Sequence, residues 1–117
     1  MKRFVILYDA NCKFCIKCKD WLSNQEQYIE LYFVPKDADN AQRHYGHLID
    51  QADCDQLILI AAGGRVYIDD RALIMCLYAL KDYRELSAAL SNPAMLPLTK
   101  QFFHTISENR DTLSQFV

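Results

Sequence analysis

The chain has 117 residues, of which 51% are hydrophobic and 24% charged, a composition typical of one globular domain that buries its own core. Its formal net charge is -2 and its 13 lysine and arginine residues are scattered, so the clustered basic face of a nucleic-acid-binding protein is missing. No apolar run approaches the roughly 18 to 20 residues that cross a membrane. We therefore expect a single domain over residues 1–117, with no nucleic-acid or membrane partner.

The chain contains five cysteines, and their use depends on the compartment. The opening segment MKRFVILYD resembles a signal peptide, but its apolar run stops at Tyr8 and is too short for the hydrophobic region of one. We expect a mature, cytoplasmic chain. In that reducing compartment cysteines do not form a structural disulfide framework, which leaves catalytic, metal-binding and buried roles.

The first half of the chain predicts a βαβ unit. Residues 4–8 (FVILY) form a continuous apolar run, typical of a strand buried on both faces. A helix begins at about Cys12, with Cys15, Cys18 and Leu22 on its apolar face. Residues 29–34 (IELYFV) predict a second strand, parallel to the first and joined to it by a right-handed crossover.

The second half predicts a hairpin followed by helices. Residues 57–61 (LILIA) and 65–68 (RVYI) are two β-runs joined across Gly63-Gly64, because glycine takes positive φ without steric cost. Asp39 or Asn40 is expected to cap the next helix, and Asp69 or Asp70 to cap a helix after the hairpin with Leu73, Cys76, Leu77 and Leu80 facing inward. Two more helices are expected near Tyr83 and after Pro97, the last carrying Leu98, Phe102, Ile106 and Leu113.

The order β-α-β-α-β-β-α predicts an α/β, thioredoxin-like fold. Its centre would be a mixed four-stranded sheet, made of the βαβ unit and the hairpin. Helices would flank this sheet, with extra helices at the C-terminus.

The stretch YDANCKFCIKC places a C-x-x-C pair, Cys12 and Cys15, at the junction between the first strand and the first helix. The unpaired N–H groups and positive dipole of a helix N-terminus stabilise a thiolate, and Lys13 adds a positive charge. Cys15 lies one turn further on, within reach of Cys12. The pattern predicts dithiol exchange, with an exposed Cys12 attacking and a half-buried Cys15 resolving, and with the Lys13-Phe14 dipeptide tuning the potential.

Asp9 precedes this pair and has two interpretations. Its carboxylate can take and return the proton of the resolving thiol. Alternatively, it only accepts backbone N–H bonds and shapes the turn. The sequence leaves both open.

Other candidate ligands are expected to be structural. Cys18 extends the motif to C-x-x-C-x-x-C, which resembles the beginning of an iron–sulfur site, but its fourth cysteine is missing locally. We expect Cys18 and Cys76 to lie in the core, and His44, His47 and Asp50 to lie on a solvated face.

The loop before the third strand holds a further candidate. In thioredoxin-like folds this loop faces the C-x-x-C pair and usually presents a cis-proline, yet here it reads QADCDQ, without proline. Asp53, Cys54 or Asp55 must fill that place. Cys54 is therefore either a third thiol near Cys12, a third metal ligand, or an exposed cysteine without function.

The D-x-x-C-x-x-C motif in LYDANCKFC resembles the start of the DCC-type thiol-disulfide oxidoreductase family. The segments LYFVPKD, LILIAAGGRVYIDDRALIMCLYAL and FFHTISENRDTLSQF are similar to later parts of that family, so the likeness spans nearly the whole chain. It implies a thioredoxin-like fold and a dithiol-disulfide function, with Asp9, Cys12 and Cys15 as the motif residues. Ala10 departs from the family, which usually has glycine there.

Three functions fit these patterns. The first is a thiol-disulfide oxidoreductase that uses no cofactor, acts on a protein or small-molecule thiol or disulfide, and needs an unidentified reductant. The second is a zinc or iron–sulfur module that uses Cys12, Cys15 and either Cys18 or Cys54. The third is a thioredoxin-like interaction domain whose cysteines are bystanders. The sequence does not indicate the oligomeric state.

Overall fold

A computed structural model of the protein describes residues 3–53, 56–99, 101–103 and 105. It contains one four-stranded sheet with helices packed on both faces. The elements, in chain order, are β1 (Arg3–Tyr8), α1 (Lys13–Ser23), β2 (Glu30–Pro35), α2 (Asp39–Gln51), β3 (Ile58–Ile60), β4 (Val66–Ile68), α3 (Asp70–Tyr78) and α4 (Arg84–Leu90).

The sheet has the strand order β2-β1-β3-β4. β1 and β2 are parallel, in a register that pairs Arg3 with Glu30 and Tyr8 with Pro35. β3 runs antiparallel to both β1 and β4. The predicted mixed α/β sheet is thus confirmed, and it is compatible with a thioredoxin-like fold.

β1 is the central strand that divides two cores. Phe4, Ile6 and Tyr8 point into the larger core, which also contains buried residues of α1, α3 and α4. Leu7 points into the smaller core on the opposite face, with Ala41 of α2. This alternation follows from the pleat of a strand, and it explains why the segment reads as an uninterrupted apolar run.

The predicted glycine hairpin between β3 and β4 is present. Gly63 and Gly64 have φ of 91° and 89°, a region that side-chain-bearing residues rarely adopt. The Ala61 N–H donates to the Arg65 carbonyl at 2.8 Å, and the Gly64 N–H donates to the Ala61 carbonyl at 3.0 Å.

One predicted helix cap is confirmed in position and the other needs correction. Asp69, with φ of 61°, is the N-cap of α3 as predicted, whereas the N-cap of α2 is Ala38 and Asp39 is its first residue; neither N-cap makes a side-chain capping hydrogen bond. An aspartate near a helix start also stabilises the helix through the macrodipole, so composition alone does not separate a capping aspartate from a first-turn one. Among the helices of the described residues, none has the length and apolar character needed to cross a membrane.

The C-terminal helical segment packs through a different stripe from the one expected. Within residues 98–103, Thr99 and Phe103 are buried whereas Leu98 is 44% exposed. The buried stripe is thus rotated by one residue, because Phe103 meets the Trp21 ring of α1 edge-on at 6.0 Å. The predicted positions Ile106 and Leu113 lie outside the described residues.

Candidate dithiol site

A tight turn connects β1 to α1 and presents Cys12. The Asp9 carboxylate accepts a hydrogen bond from the Asn11 N–H at 2.9 Å, and the Asp9 carbonyl accepts one from the Cys12 N–H at 3.1 Å. This is the local bonding by which aspartate nucleates turns. Of the described residues other than glycine, only Asp69 has positive φ. Ala10 therefore fits this turn without strain, although the resembling family usually has glycine there.

Cys12 is the N-cap of α1. Its backbone is extended, with φ of -96° and ψ of 116°, and its Sγ accepts a hydrogen bond from the Cys15 N–H at 3.5 Å. A serine or aspartate oxygen usually takes this position, bonding the N–H of the second or third helical residue. Cys12 is half-buried rather than exposed as expected, because it packs against the larger core. The neighbouring Lys13 is exposed, and Phe14 packs partly against the same core.

Cys15 is fully buried rather than half-buried as expected, with 0% exposure. Burial raises the pKa of its thiol to about 12, and a side-chain hydrogen bond with Cys12 adds to the rise by retaining the proton on Cys15. A backbone hydrogen bond from Asp9 and the positive charge of Lys36 act in the opposite direction on the pKa of Cys15. The two cysteines therefore differ in accessibility and charge state. Cys12 is partly accessible to solvent, whereas the Cys15 thiol is buried and stays protonated.

The geometry of Asp9 agrees with the second interpretation, in which its carboxylate accepts a backbone N–H bond and shapes the turn. Its carboxylate bonds the Asn11 N–H, and its backbone contributes to the environment of the Cys15 thiol. Both contacts arise from the turn rather than from a free carboxylate aimed at the dithiol. Whether the carboxylate also moves a proton is a separate question that mutation can answer.

Lys36 belongs to this site and was missed by the sequence reasoning. Only 8% of it is exposed, and its Nζ donates to the Asp53 carbonyl at 3.2 Å and the Gln56 carbonyl at 2.6 Å. Its N–H donates to the Tyr8 carbonyl at 2.8 Å. A signal existed in the sequence, because Lys36 directly follows β2, and the carboxyl ends of neighbouring parallel strands meet at one edge of a sheet.

The loop that enters β3 is only partly described. Asp53 is exposed, and its N–H donates to the Gln56 side-chain oxygen at 3.0 Å. Lys36 attaches this loop to the end of β2. Cys54 and Asp55 lie outside the described residues, so the hypothesis of a third thiol stays a prediction.

An open pocket of about 270 Å³ adjoins the turn that carries Cys12. It gives solvent and small solutes access to this edge of the sheet. Its walls are formed by Asp9, Asn11, Lys36, Asp37, Gln42, Ile49 and Ala52.

Two further cysteines lie in the core, as predicted. Cys18 and Cys76 are both 0% exposed and have free thiols, and burial raises the pKa of Cys76. Within the described part of the chain, no three His, Cys, Asp or Glu side chains are grouped to hold a metal ion. His44 and His47 are exposed on α2, on the solvated face that the sequence predicted.

Comparison with known proteins gives one match. No curated protein and no solved structure matches the chain. A family model described as DCC1-like thiol-disulfide oxidoreductase matches residues 6–116, which include the whole dithiol site and nearly the entire fold. The chain belongs to the DCC1-like thiol-disulfide oxidoreductase family.

Proposed function

We propose that the chain exchanges disulfides through Cys12 and Cys15, with a protein or small-molecule disulfide or thiol as its substrate. Family membership supports a thiol-disulfide oxidoreductase role. The observation that carries the residue assignment is the contact between the pair, in which the half-buried Cys12 sulfur accepts the Cys15 N–H at the first turn of α1. A thiolate at that position is stabilised by an N–H donor and by the helix dipole.

The reductive direction proceeds in two displacement steps. The Cys12 thiolate attacks one sulfur of the substrate disulfide, forming a mixed disulfide and releasing the first substrate thiolate, which takes up a proton. Cys15 then loses its proton, and its thiolate attacks the Cys12 sulfur. The Cys12–Cys15 bond forms as the bond to the substrate breaks, and the second substrate thiolate is protonated. An unidentified dithiol or thiol reductant restores the pair, and the same steps reversed oxidise a substrate dithiol.

The different burial of Cys12 and Cys15 supports their different roles in the proposed reaction. Cys12 reaches the surface and Cys15 does not, so Cys12 is the sulfur that meets substrate. Since burial and the bond to Cys12 raise the pKa of Cys15 to about 12, Cys15 stays a neutral thiol at physiological pH until the mixed disulfide forms. A sulfur that is protonated at rest does not compete with Cys12 for substrate.

The cytoplasmic placement stays part of this proposal. The described cysteines are free thiols, and a reducing compartment would keep the pair in the dithiol form that attacks substrate disulfides.

The experiment separates the two cysteines. With a disulfide-containing protein as substrate, we expect Cys12→Ser to abolish exchange and Cys15→Ser to accumulate a mixed disulfide at Cys12, visible as a mass increase that dithiothreitol removes. Cys76→Ala is the matched control, since it removes a buried thiol remote in the chain from the motif, and it should turn over as the unaltered protein does. Unchanged turnover in Cys15→Ser would rule out the resolving role, and unchanged turnover in Cys12→Ser would rule out the nucleophile.

A further inference from the structure

We propose that Lys36 is a positioning residue for the resolving step: its buried ammonium group stabilises the Cys15 thiolate and is itself held in place by the carbonyls of Asp53 and Gln56. This inference rests on the proposed function, since it assigns a role within the exchange reaction. The family motif does not include Lys36, which lies more than twenty positions beyond Cys12 in the chain.

The burial of Lys36 calls for an explanation. Lysine is among the residues least often buried, because its ammonium group loses hydration that only hydrogen bonds and charge can replace. Lys36 is only 8% exposed, and its Nζ donates to two carbonyl oxygens, those of Asp53 and Gln56. Capping two carbonyls does not require a full charge at such a site, since a neutral amide would do the same.

Lys36 connects the strand end that precedes the dithiol turn with Asp53 and Gln56. Its backbone N–H bonds the Tyr8 carbonyl at the end of β1, one residue before the Asp9 turn. Its Nζ bonds the carbonyls of Asp53 and Gln56, so backbone and side chain of one residue link these two segments.

The charge of Lys36 acts on the buried cysteine. Burial and the bond to Cys12 raise the pKa of Cys15, whereas the Lys36 charge lowers it. The other charged groups near Lys36 are carboxylates, namely Asp9 and Asp37 in the walls of the same pocket and Asp53 on the attached loop. These anions do not help a thiolate, so the cationic contribution to the ionisation of Cys15 comes from Lys36.

The Lys36 charge is expected to act in the second displacement, in which the Cys15 thiolate attacks the Cys12 sulfur. Cys15 must give up its proton before its sulfur attacks Cys12, and the thiolate then forms the Cys12–Cys15 bond as the substrate thiolate leaves and is protonated. The Lys36 charge, which lowers the pKa of Cys15, favours the ionised form before attack. The first displacement uses the sulfur of Cys12, which lies at the surface, and is expected to be nearly independent of Lys36.

The test compares Lys36→Met with Lys36→Arg. Methionine keeps the length and apolar stem of lysine without charge, and arginine keeps the charge. Stopped-flow mixing with a disulfide substrate that carries a chromogenic leaving group separates formation of the mixed disulfide from its resolution. In Lys36→Met we expect resolution to slow and its pH profile to move to higher pH, because the variant lacks the charge that lowers the pKa of Cys15. Formation should change little, and Lys36→Arg should restore both the rate and the profile of resolution.

The possible outcomes distinguish an effect of the Lys36 charge, a purely structural role of Lys36 and a failure of the proposed function. Equal resolution rates and pH profiles in Lys36→Met and the unaltered protein would overturn the inference while leaving the proposed function intact. A scaffold role alone would slow formation and resolution together without moving the pH profile, and this too would overturn it. Absence of any mixed disulfide in the unaltered protein would instead overturn the proposed function.

Two further measurements keep the test decisive if Lys36→Met does not fold. Lys36→Gln preserves donation to the two loop carbonyls without the charge, and should resolve as slowly as Lys36→Met is expected to. In the unaltered reduced protein, the pH dependence of the ¹³Cε resonance of Lys36 at alkaline pH should differ from that in Cys15→Ser, because only the unaltered protein gains a thiolate at position 15. A Lys36 resonance that is identical in the two proteins over the whole titration would contradict a direct electrostatic interaction.

Discussion

At the scale of single residues, Cys12 combines a structural and a chemical role in one atom. Its sulfur bonds the Cys15 N–H at 3.5 Å and thereby caps α1. In the proposed exchange reaction the same sulfur would be the nucleophile. One contact would then serve both the cap of the helix and the reacting sulfur.

This double role predicts different outcomes for two substitutions of Cys12. Serine is a preferred N-cap, whereas alanine offers no acceptor. We expect Cys12→Ala to have a free energy of unfolding about 1 kcal/mol below that of Cys12→Ser, although both abolish exchange. Urea denaturation followed by the fluorescence of Trp21, the single tryptophan, measures the difference. Equal stabilities would contradict the capping role of this position.

At the scale of elements, α1 and α3 pack on the same face of the sheet, and the side of each helix that faces the larger core carries buried cysteines. Cys15 and Cys18 lie on the inner side of α1, and Cys76 lies on that of α3. The core accommodates these small sulfur-containing side chains, since a cysteine outside a disulfide behaves as a small apolar residue. Burial raises the pKa of Cys15 and Cys76 and so keeps these two thiols protonated, which makes the packing sensitive to alkaline pH.

Cys15 and Cys76 are therefore expected to weaken the fold at high pH. In the unfolded chain a cysteine ionises above about 8.5, whereas burial raises the folded pKa of Cys15 to about 12 and that of Cys76 as well. Between those values the unfolded state binds fewer protons than the folded state. Stability is unaffected below the ordinary pKa and falls above it, by about 1.4 kcal/mol per pH unit for each thiol.

Denaturant titrations of the reduced protein between neutral pH and alkaline pH measure this loss. Cys76→Ala is the control, because it removes one of the two thiols whose pKa burial raises, while leaving tyrosine and lysine ionisation unchanged. Its free energy of unfolding should fall less steeply above the ordinary thiol pKa. The same slope in both proteins would show that the burial of Cys76 does not govern its ionisation.

At the scale of the whole molecule, the fold was largely predictable and the site only in part. Alternating apolar strands and helices, the Gly63-Gly64 turn and the position of Cys12 at the start of α1 all follow from local patterns. Burial of Cys18 followed from helical periodicity. These features depend on residues close together in the chain, and sequence reasoning captures such features well.

The features that were missed depend on contacts between distant segments. The placement of Lys36 requires β1, β2 and the loop before β3 to meet at one edge of the sheet. The full burial of Cys15 depends on the larger core, in which it lies with residues of α3 and α4. The one-residue rotation of the stripe around Phe103 depends on Trp21 of α1. No local pattern specifies such contacts, and a lysine in a polar stretch ordinarily indicates a solvated surface.

The central claim, that Cys12 and Cys15 form a reversible redox pair, is tested most directly by equilibrium with glutathione. The protein is equilibrated in buffers of increasing oxidised-to-reduced glutathione ratio, quenched in acid, alkylated and digested, and its disulfides are located by mass spectrometry. We predict one two-electron transition in which a Cys12–Cys15 disulfide replaces two alkylated thiols, with Cys18 and Cys76 remaining alkylatable after unfolding throughout. Absence of that disulfide at every ratio, or a transition that leaves Cys15 a free thiol, would contradict the account.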